Sequence, residues 1–172
     1  DPDSRKNFGP FTPGFQVIPY NDLNALKEAF QDQHVAGLLI EPIQGEAGVN
    51  VPDEGFLAGA AALCKSHNVL FIADEIQTGI ARTGKLLAID HENVKADILI
   101  LGKALSGGAY PVSAVLANDE IMLCIKPGEH DGICAPNSSD WIAFYFGVLK
   151  TGAVAVTYSS LFSKDELTLL VD

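Results

Sequence analysis

The stretch Val69-Leu-Phe-Ile-Ala-Asp74-Glu75-Ile-Gln77-Thr-Gly79 decides how this 172-residue chain is interpreted. It opens with five apolar residues of the kind found in a buried strand, and the run ends in an acid. A second apolar run, Ile98–Leu101, ends in Gly102-Lys103. In an open α/β sheet, ligands bind outside the carboxyl ends of the strands. Two neighbouring strands would therefore present one carboxylate and one amine to the same pocket.

A carboxylate that keeps a pyridine nitrogen charged and a lysine that forms a Schiff base are the groups that pyridoxal phosphate (PLP) chemistry needs. The residues alone leave a plainer alternative open. An acid at a strand end often only caps a turn, and a lysine after a strand is usually a solvated surface charge. By spacing alone, Asp74 and Lys103 are compatible with either interpretation.

Length and composition narrow the possible classes of protein. The chain is 48% hydrophobic, which is ample for a core, and its length predicts one domain, or one domain and a fragment. No apolar run reaches the roughly 18 residues of a membrane span, and the amino terminus lacks a signal-peptide pattern. The first residues resemble the middle of a loop, so we expect the chain to begin inside a larger protein. A net charge of −11 argues against nucleic acid and anionic membranes as partners.

The cysteines and histidines do not predict a metal site. Cys64, Cys124 and Cys134 lack the spacing of metal ligands, and the four histidines are scattered without a nearby acid or cysteine at ligand spacing. Cys64 falls on an apolar helical stretch and is interpreted as a small core residue. An odd number of cysteines without metal-ligand spacing favours a reducing, intracellular setting.

Strand and helix patterns alternate along residues 15–125. The predicted strands are Phe15–Pro19, Val35–Ile40, Val69–Ala73, Ile98–Leu101 and Val112–Ala117. The predicted helices are Asp22–Gln31 capped by Asn21, Asp53–His67 capped by Asp53, and a short helix after Asn118 towards Ile125. This alternation predicts an α/β fold with a mostly parallel sheet in a three-layer arrangement. Alternation along a strand also points Glu75 away from Asp74, which makes Glu75 a structural residue.

Residues 1–130 resemble the ornithine aminotransferases, a family of class III PLP-dependent aminotransferases. The segments that carry the resemblance are Phe8–Gly14, Glu41-Pro-Ile-Gln-Gly-Glu-Ala-Gly48, Phe71–Gly79, Ala81–Gly84, Leu101-Gly-Lys-Ala-Leu-Ser-Gly-Gly108, Tyr110–Val115 and Ile125–His130. The resemblance implies part of the large, PLP-binding domain of a fold type I PLP transferase. It also implies that the cofactor is pyridoxal 5'-phosphate.

The resemblance implies a role for each candidate site residue. Lys103 would form the Schiff base and carry a proton, and Asp74 would pair with the pyridine nitrogen. Ile76 would pack on the cofactor ring, although an ordinary core isoleucine is the alternative. Gln77 would donate to the phenolic oxygen, or be a polar loop residue. Glu46, and with a less certain role Glu41, would contact substrate, or be solvated loop acids.

Other parts of the family pattern lie outside this chain. The phosphate-binding loop, the aromatic residue that stacks on the cofactor and the substrate-carboxylate arginine precede residue 1 in the family. The arginine that partners the Glu46 position and the small domain lie further downstream. A threonine that reaches a phosphate across the dimer interface would follow His130. We therefore expect this chain to be inactive by itself.

Residues 133–172 do not continue the aminotransferase pattern. Asp131–Asp140 and Phe146–Val156 resemble an early segment of acyl-CoA synthetases, the adenylate-forming ligases, without their nucleotide-binding motifs. This predicts two regions: a partial aminotransferase domain over 1–130, and an unrelated helix-strand-helix segment over 131–172. Its predicted parts are a helix over Trp141–Lys150, a strand over Ala153–Val156 and a final helix begun by a capping box at Ser163–Glu166. A spliced gene, an assembly error or a real fusion would each produce such a junction.

The resemblance implies that the full-length family member transfers the δ-amino group of ornithine to 2-oxoglutarate. It is homo-oligomeric and built from dimers, and it is found in the mitochondrial matrix, or in the cytoplasm in bacteria and fungi. Two alternative functions belong to different classes of protein. One is a non-catalytic binding or dimerising fragment, which a cofactor-binding spectrum would distinguish. The other is adenylate-forming activity from the tail, which needs an ATP-binding loop that the sequence lacks.

Overall fold

The computed structural model describes residues 7, 11, 13–46, 48–109 and 111–125. These residues form a four-stranded sheet in the order β1-β2-β3-β4. The strands are β1 Gly37–Ile40, β2 Leu70–Asp74, β3 Ile98–Leu101 and β4 Ala114–Ala117. The helices are α1 Leu23–Ala29, α2 Phe56–His67 and α3 Asp119–Met122, and there are 3₁₀ segments at Ala88–Glu92 and Lys103–Ser106.

The sheet is mostly parallel, as predicted. β2 pairs in parallel with both β1 and β3, and β4 runs antiparallel to β3. Ile40 lies opposite Ala73, and Asp74 lies opposite Ile100. The carboxyl ends of β1, β2 and β3 therefore meet at one edge of the sheet, which is where ligands bind in open α/β folds.

The core lies between β2 and the helices α1 and α2. Phe56, Ala60 and Cys64 share one face of α2 and are buried, as their helical spacing predicts. Burial, and secondarily the charge of Asp97, raise the pKa of the Cys64 thiol to about 11. The side chain is 1% exposed and belongs to the core cluster, so the interpretation of Cys64 as a core residue is confirmed.

The start of α1 differs from the prediction by one residue. The cap is Asp22, whose Oδ1 accepts hydrogen bonds from the backbone N–H groups of Asn24 and Ala25 at 2.9 and 3.0 Å. Asn21, the predicted cap, has a φ of 62°. Its side chain instead accepts from the backbone N–H of Asp53 at 3.1 Å. Asn21 therefore links the starts of two helices rather than capping one.

The start of α2 also differs from the prediction. The helix begins at Phe56 after Gly55, whose φ is 85°, so Asp53 is not its cap. The side chain that accepts from the amino end of α2 is Glu92, whose Oε2 lies 2.8 Å from the backbone nitrogen of Ala58. A carboxylate is favourable at this end of the helix dipole. No local pattern could indicate a cap that lies 34 residues away.

The predicted strand Phe15–Pro19 is wrong, because these residues are irregular. Phe15 and Val17 are 78% and 82% exposed, and no neighbouring strand pairs with them among the described residues. The alternation of apolar residues suits a strand, but a strand also needs a hydrogen-bonding partner. The predicted strands Val35–Ile40 and Val112–Ala117 exist in shorter form as β1 and β4, whereas β3 has the predicted bounds.

The predictions for residues 126–172 lie outside the described part of the chain. These include the helix over Trp141–Lys150, the capping box at Ser163 and the domain boundary near residue 131. Asn118 does cap α3 as predicted, because its side chain accepts from the backbone N–H of Ile121 at 3.0 Å. Among the described helices, none has the length and hydrophobicity needed to cross a bilayer.

Candidate functional site

Asp74 is the last residue of β2 and marks the ligand-binding edge of the sheet. Its side chain is half-buried, and its Oδ1 accepts a hydrogen bond from the backbone N–H of Ile76 at 3.1 Å. Within the described part of the chain, its Oδ2 has no hydrogen-bond partner. One carboxylate oxygen is therefore used to hold the turn, and the other remains available to a ligand.

Lys103 follows the end of β3 by two residues and begins a short 3₁₀ segment. Its φ of 42° is unusual for a residue with a side chain, and backbone strain of this kind is often found at functional sites. Its Nζ donates to Oε1 of Gln77 and lies 3.5 Å from Oε1 of Glu46. The structure thus brings the amine, the amide and one of the two loop carboxylates together.

A closed loop after β1 carries Glu46. Gln44 and Asn50 exchange two backbone hydrogen bonds of 3.1 and 3.0 Å, and Asn50 Nδ2 donates to Gln44 Oε1 at 3.3 Å. These bonds fix the base of the loop. The Glu46 side chain is 89% exposed, so the loop holds this carboxylate over Lys103 without burying it.

Glu41 lies at the root of the same loop, and its side chain has no hydrogen bond among the described residues. The Tyr20 hydroxyl donates to the backbone oxygen of Glu41 at 3.0 Å and to the backbone oxygen of Pro42 at 2.9 Å. Desolvation, followed by the charges of Glu41 and Glu92, raises the pKa of Tyr20 to about 12. The structure therefore places Glu41 next to the site and does not bring it to Lys103.

Two glycines allow the close approach of the site segments. A Cβ on Gly102 would lie 3.1 Å from Cγ2 of Ile76, so the Ile76 side chain packs directly on the backbone that precedes Lys103. A Cβ on Gly45 would collide with the amide of Gln77. Ile76 and Gln77 are thus held between the ends of β1 and β3 as predicted for a shared site, although their roles stay predictions.

Sequence reasoning missed three contributors to this geometry. Tyr20 gave no signal, because its role depends on a contact with residues 21 and 22 positions away. Gly45 and Gly102 lay inside the quoted motifs, and their places beside Glu46 and Lys103 could have indicated close backbone approach.

A wide cavity lies away from this site. It is lined by α2, the 3₁₀ helix Ala88–Glu92 and the Leu116–Asn118 end of β4, and none of the candidate site residues contributes to it. Within the described residues, no group of three or more His, Cys, Asp or Glu side chains could hold a metal ion. The candidate site is therefore identified by its converging polar groups and not by a deep pocket.

Comparisons with known proteins identify the family to which this fold belongs. The family described as Aminotransferase class-III matches residues 1–145. The mitochondrial ornithine aminotransferase of Rattus norvegicus is 69% identical over 130 residues, which are 76% of this chain and 30% of that protein. The corresponding Drosophila melanogaster protein is 64% identical over the same shares. This chain therefore spans about 30% of the length of these relatives.

Solved structures extend the likeness to the fold. The ornithine aminotransferase of Toxoplasma gondii ME49 superimposes with a TM-score of 0.74 at 52% identity, covering 87% of this chain and 36% of that one. The ornithine delta-aminotransferase of Plasmodium falciparum gives 0.68 at 58% identity, covering 70% and 31%. The predicted fold class, a partial PLP-transferase large domain, is confirmed. By sequence and by structure, the chain belongs to the class III aminotransferase family.

Proposed function

We propose that this chain is part of the PLP-binding domain of an ornithine aminotransferase. The full protein would transfer the δ-amino group of ornithine to 2-oxoglutarate, giving glutamate semialdehyde and glutamate. The observation that carries the proposal is the convergence of Lys103, Gln77 and Glu46 beside the end of β2, where one carboxylate oxygen of Asp74 has no partner among the described residues. Its support also includes relatives named ornithine aminotransferases at 64–69% identity.

The described residues fit one end of pyridoxal 5'-phosphate. Asp74 offers a carboxylate for the ring nitrogen, Gln77 an amide for the phenolic oxygen and Lys103 an amine for the aldehyde. The absence of a Cβ at Gly102 leaves Ile76 packed against the strand end, where an apolar surface for the ring is needed. When bound, PLP supplies an aldehyde carbon and an electron-accepting ring.

Each residue then has a definite task. The Lys103 amine would hold the cofactor through its aldehyde, and its Nζ would accept and donate the proton that the reaction moves. The Asp74 carboxylate keeps a proton on the ring nitrogen by charge pairing. Glu46, at the tip of an exposed loop, would contact the amine or carboxylate of the substrate, with Glu41 behind it. Ile76 and Gln77 orient the ring.

The remaining features of the proposal concern the whole protein. Its substrates are small molecules, its assembly is a dimer-based homo-oligomer and its location is the mitochondrial matrix. The last point is supported by the rat and fly relatives, whose names include "mitochondrial". The isolated 172-residue chain should show no ornithine transamination, because the residues proposed for the site hold the ring and the aldehyde, whereas phosphate contacts usually supply much of a cofactor's affinity.

Covalent trapping tests the proposal. The chain is incubated with excess PLP, reduced with borohydride and mapped by peptide mass spectrometry. The pyridoxyl group should be on Lys103, and Lys103→Ala should abolish it. Lys85→Ala is the matched control, because Lys85 Nζ donates to the backbone oxygen of Asp90, away from the site, and this variant should keep the label on Lys103. A label found mainly on Lys65, Lys85 or Lys126 would refute the assignment.

The same experiment separates the non-catalytic alternative. A chain that only binds or dimerises would show no absorbance change with PLP and no selective label. Glutamate semialdehyde formed by the purified 172-residue chain would show that the expectation of inactivity is wrong.

A further inference from the structure

Glu75 is a fully buried carboxylate that the proposed reaction does not use. Its exposed fraction is 0%, and among the described residues no cation pairs with it. Its Oε2 accepts from the Thr78 hydroxyl, and its Oε1 accepts from the backbone N–H of Ile89 at 2.9 Å. Burying an unpaired charge is unfavourable unless hydrogen bonds replace water. Both oxygens of this carboxylate therefore have definite partners.

The backbone of Glu75 is held as firmly as its side chain. Its N–H donates to the carbonyl of Ile100 in β3 at 2.9 Å, and its carbonyl accepts from Gly79 at 2.8 Å. Together with the side chain, these bonds join the end of β2 to β3, to the following turn and to the 3₁₀ helix that contains Ile89. The residues between these fixed points, Ile76 and Gln77, are the two proposed to orient the cofactor ring.

The turn leads into strained backbone. Ile80 and Ala81 have φ values of 56° and 65°. Positive φ is uncommon for any residue with a side chain, and it is rarest for a β-branched residue such as Ile80. Strain of this kind persists only where the surrounding structure over-determines it. The hydrogen bonds of Glu75 to Thr78, Gly79 and Ile89 lie next to this segment and can maintain its strained conformation.

We infer that Glu75 is a positioning residue for the cofactor site: its buried carboxylate holds the turn of residues 75–79 so that Gln77 stays in contact with Lys103 and Asp74 stays in place at the end of β2. This inference rests on the proposed function. The inference goes beyond the proposed function because it gives a role to Glu75, the acid that directly follows Asp74. Glu75 acts through the turn and touches neither substrate nor cofactor.

Variants at position 75 distinguish positioning from simple stability. Glu75→Leu fills the buried space but leaves the Ile89 N–H and the Thr78 hydroxyl without an acceptor, so some loss of stability is expected whether or not Glu75 positions the site. Glu75→Gln keeps one acceptor for Ile89, and its amide can donate to the Thr78 oxygen. Positioning therefore predicts that Gln rescues the site and that Leu does not, even where both melt at similar temperatures.

The test uses the whole 172-residue chain with two readouts. The first is the yield of borohydride-trapped pyridoxyl group on Lys103, and the second is hydrogen exchange at the amide of Ile76, which is bonded to Asp74. Glu75→Leu should lower the yield by about tenfold or more, since small misplacements of reacting groups have large effects. It should also speed exchange at Ile76. Glu75→Gln should keep most of both signals, and the exposed Glu28→Leu is the matched control.

Each result decides the inference. Equal labelling and equal exchange in Glu75→Leu and the parent chain would overturn it, as would equal losses in the Gln and Leu variants. If Glu75→Leu does not fold, Thr78→Val, which removes one partner only, should still reduce the label several-fold, and no reduction would overturn the inference. If the parent chain takes no label on Lys103, the proposed function fails, and exchange at Ile76 still judges the role of Glu75.

Discussion

Two of the three strand ends that carry the candidate site are constructed differently. After β2, Glu75 is completely buried and hydrogen bonds fix the turn from both sides. After β1, the loop is closed only at its base by Gln44 and Asn50, and Glu46 at its tip is 89% exposed. Asp74, Ile76 and Gln77, which are proposed to contact the cofactor ring, lie on the rigid end, and Lys103 follows the end of β3. The group proposed to meet the substrate lies on the adaptable end.

The difference has a physical reason. A carboxylate that keeps a ring nitrogen charged must stay at a fixed distance, because electrostatic stabilisation depends on groups that do not need to reorganise. A group that receives different substrates gains from a loop, and binding residues are commonly found on loops held by a rigid scaffold. Changes at the end of β2 should therefore have larger effects than changes in the loop after β1.

Asp74→Asn should have the largest effect, measured in a full-length enzyme that contains this segment. PLP should still bind, but transamination should fall by several orders of magnitude. An amide cannot compensate a positive charge on the ring nitrogen, and each pKa unit lost there is worth about 1.4 kcal/mol. The measurements are kcat and the absorption spectrum of the bound cofactor. Asp32→Asn, at an exposed residue that is bonded to His34, is the control, and near-normal turnover of Asp74→Asn would refute its role.

Gly79→Ala and Gly45→Ala compare the two strand ends directly. A Cβ on Gly79 would lie 2.7 Å from the backbone oxygen of Glu75, which cannot move without breaking the turn. A Cβ on Gly45 would meet only the end of the Gln77 side chain, which can rotate away. We expect Gly79→Ala to lower the free energy of unfolding by about 1–3 kcal/mol, and Gly45→Ala by well under that amount.

Urea unfolding of the two glycine variants measures this difference. Gly45→Ala should still weaken the Lys103 contact, because Gln77 must change its rotamer. Equal destabilisation by the two variants would contradict the distinction between a rigid turn and an adaptable loop.

Tyr20→Phe tests the link between the core and the loop after β1. Loss of the hydroxyl leaves the carbonyls of Glu41 and Pro42 without their donor, at a cost of about 1 kcal/mol. The pH dependence has a definite sign. The folded-state pKa of about 12 exceeds the ordinary value of 10.0, so the stability due to the neutral phenol is complete below pH 10 and is lost as the pH rises towards 12.

The measurement is the free energy of unfolding of both proteins between pH 9 and 12, the range set by the Tyr20 pKa. The parent chain should lose stability faster than Tyr20→Phe above pH 10. Cys64, with a pKa raised to about 11, titrates in both proteins, so the difference between them isolates Tyr20. Parallel curves would show that Tyr20 does not hold the loop through its neutral hydroxyl.

Local patterns predicted some parts of this molecule well. β3 has its predicted bounds because an apolar run lies between Asp97 and Gly102, and α3 begins after Asn118 because a cap acts within three residues. The motifs also predicted that Lys103, Asp74 and Gln77 lie close to strand ends, which is where the structure has them, and their roles stay predictions. These are features that neighbouring residues determine.

Contacts between distant residues account for what the sequence could not predict. Glu92 caps α2 from 34 positions away, and Asn21 was predicted to cap α1 but bonds to Asp53 instead. Alternation along the strand predicted that Glu75 is a structural residue. Its complete burial and its hydrogen bond with the backbone of Ile89 depend on contacts between distant segments. Periodicity describes one segment at a time, whereas these features need two segments in contact.

Glu46→Gln, in the adaptable loop after β1, should have the smallest effect on the free energy of unfolding. The Glu46 carboxylate lies 3.5 Å from the Lys103 nitrogen, but the two side chains are 89% and 45% exposed. An ion pair this exposed contributes less than about 0.5 kcal/mol, and salt screens it further. The free energy of unfolding should therefore stay nearly unchanged, and the label on Lys103 should remain.

In a full-length enzyme, the same variant should change KM for ornithine or 2-oxoglutarate more than kcat, as expected when a group contributes to substrate binding. A loss of stability as large as that of Gly79→Ala would show that the loop after β1 is part of the rigid framework, and the contrast between the two strand ends would then be wrong.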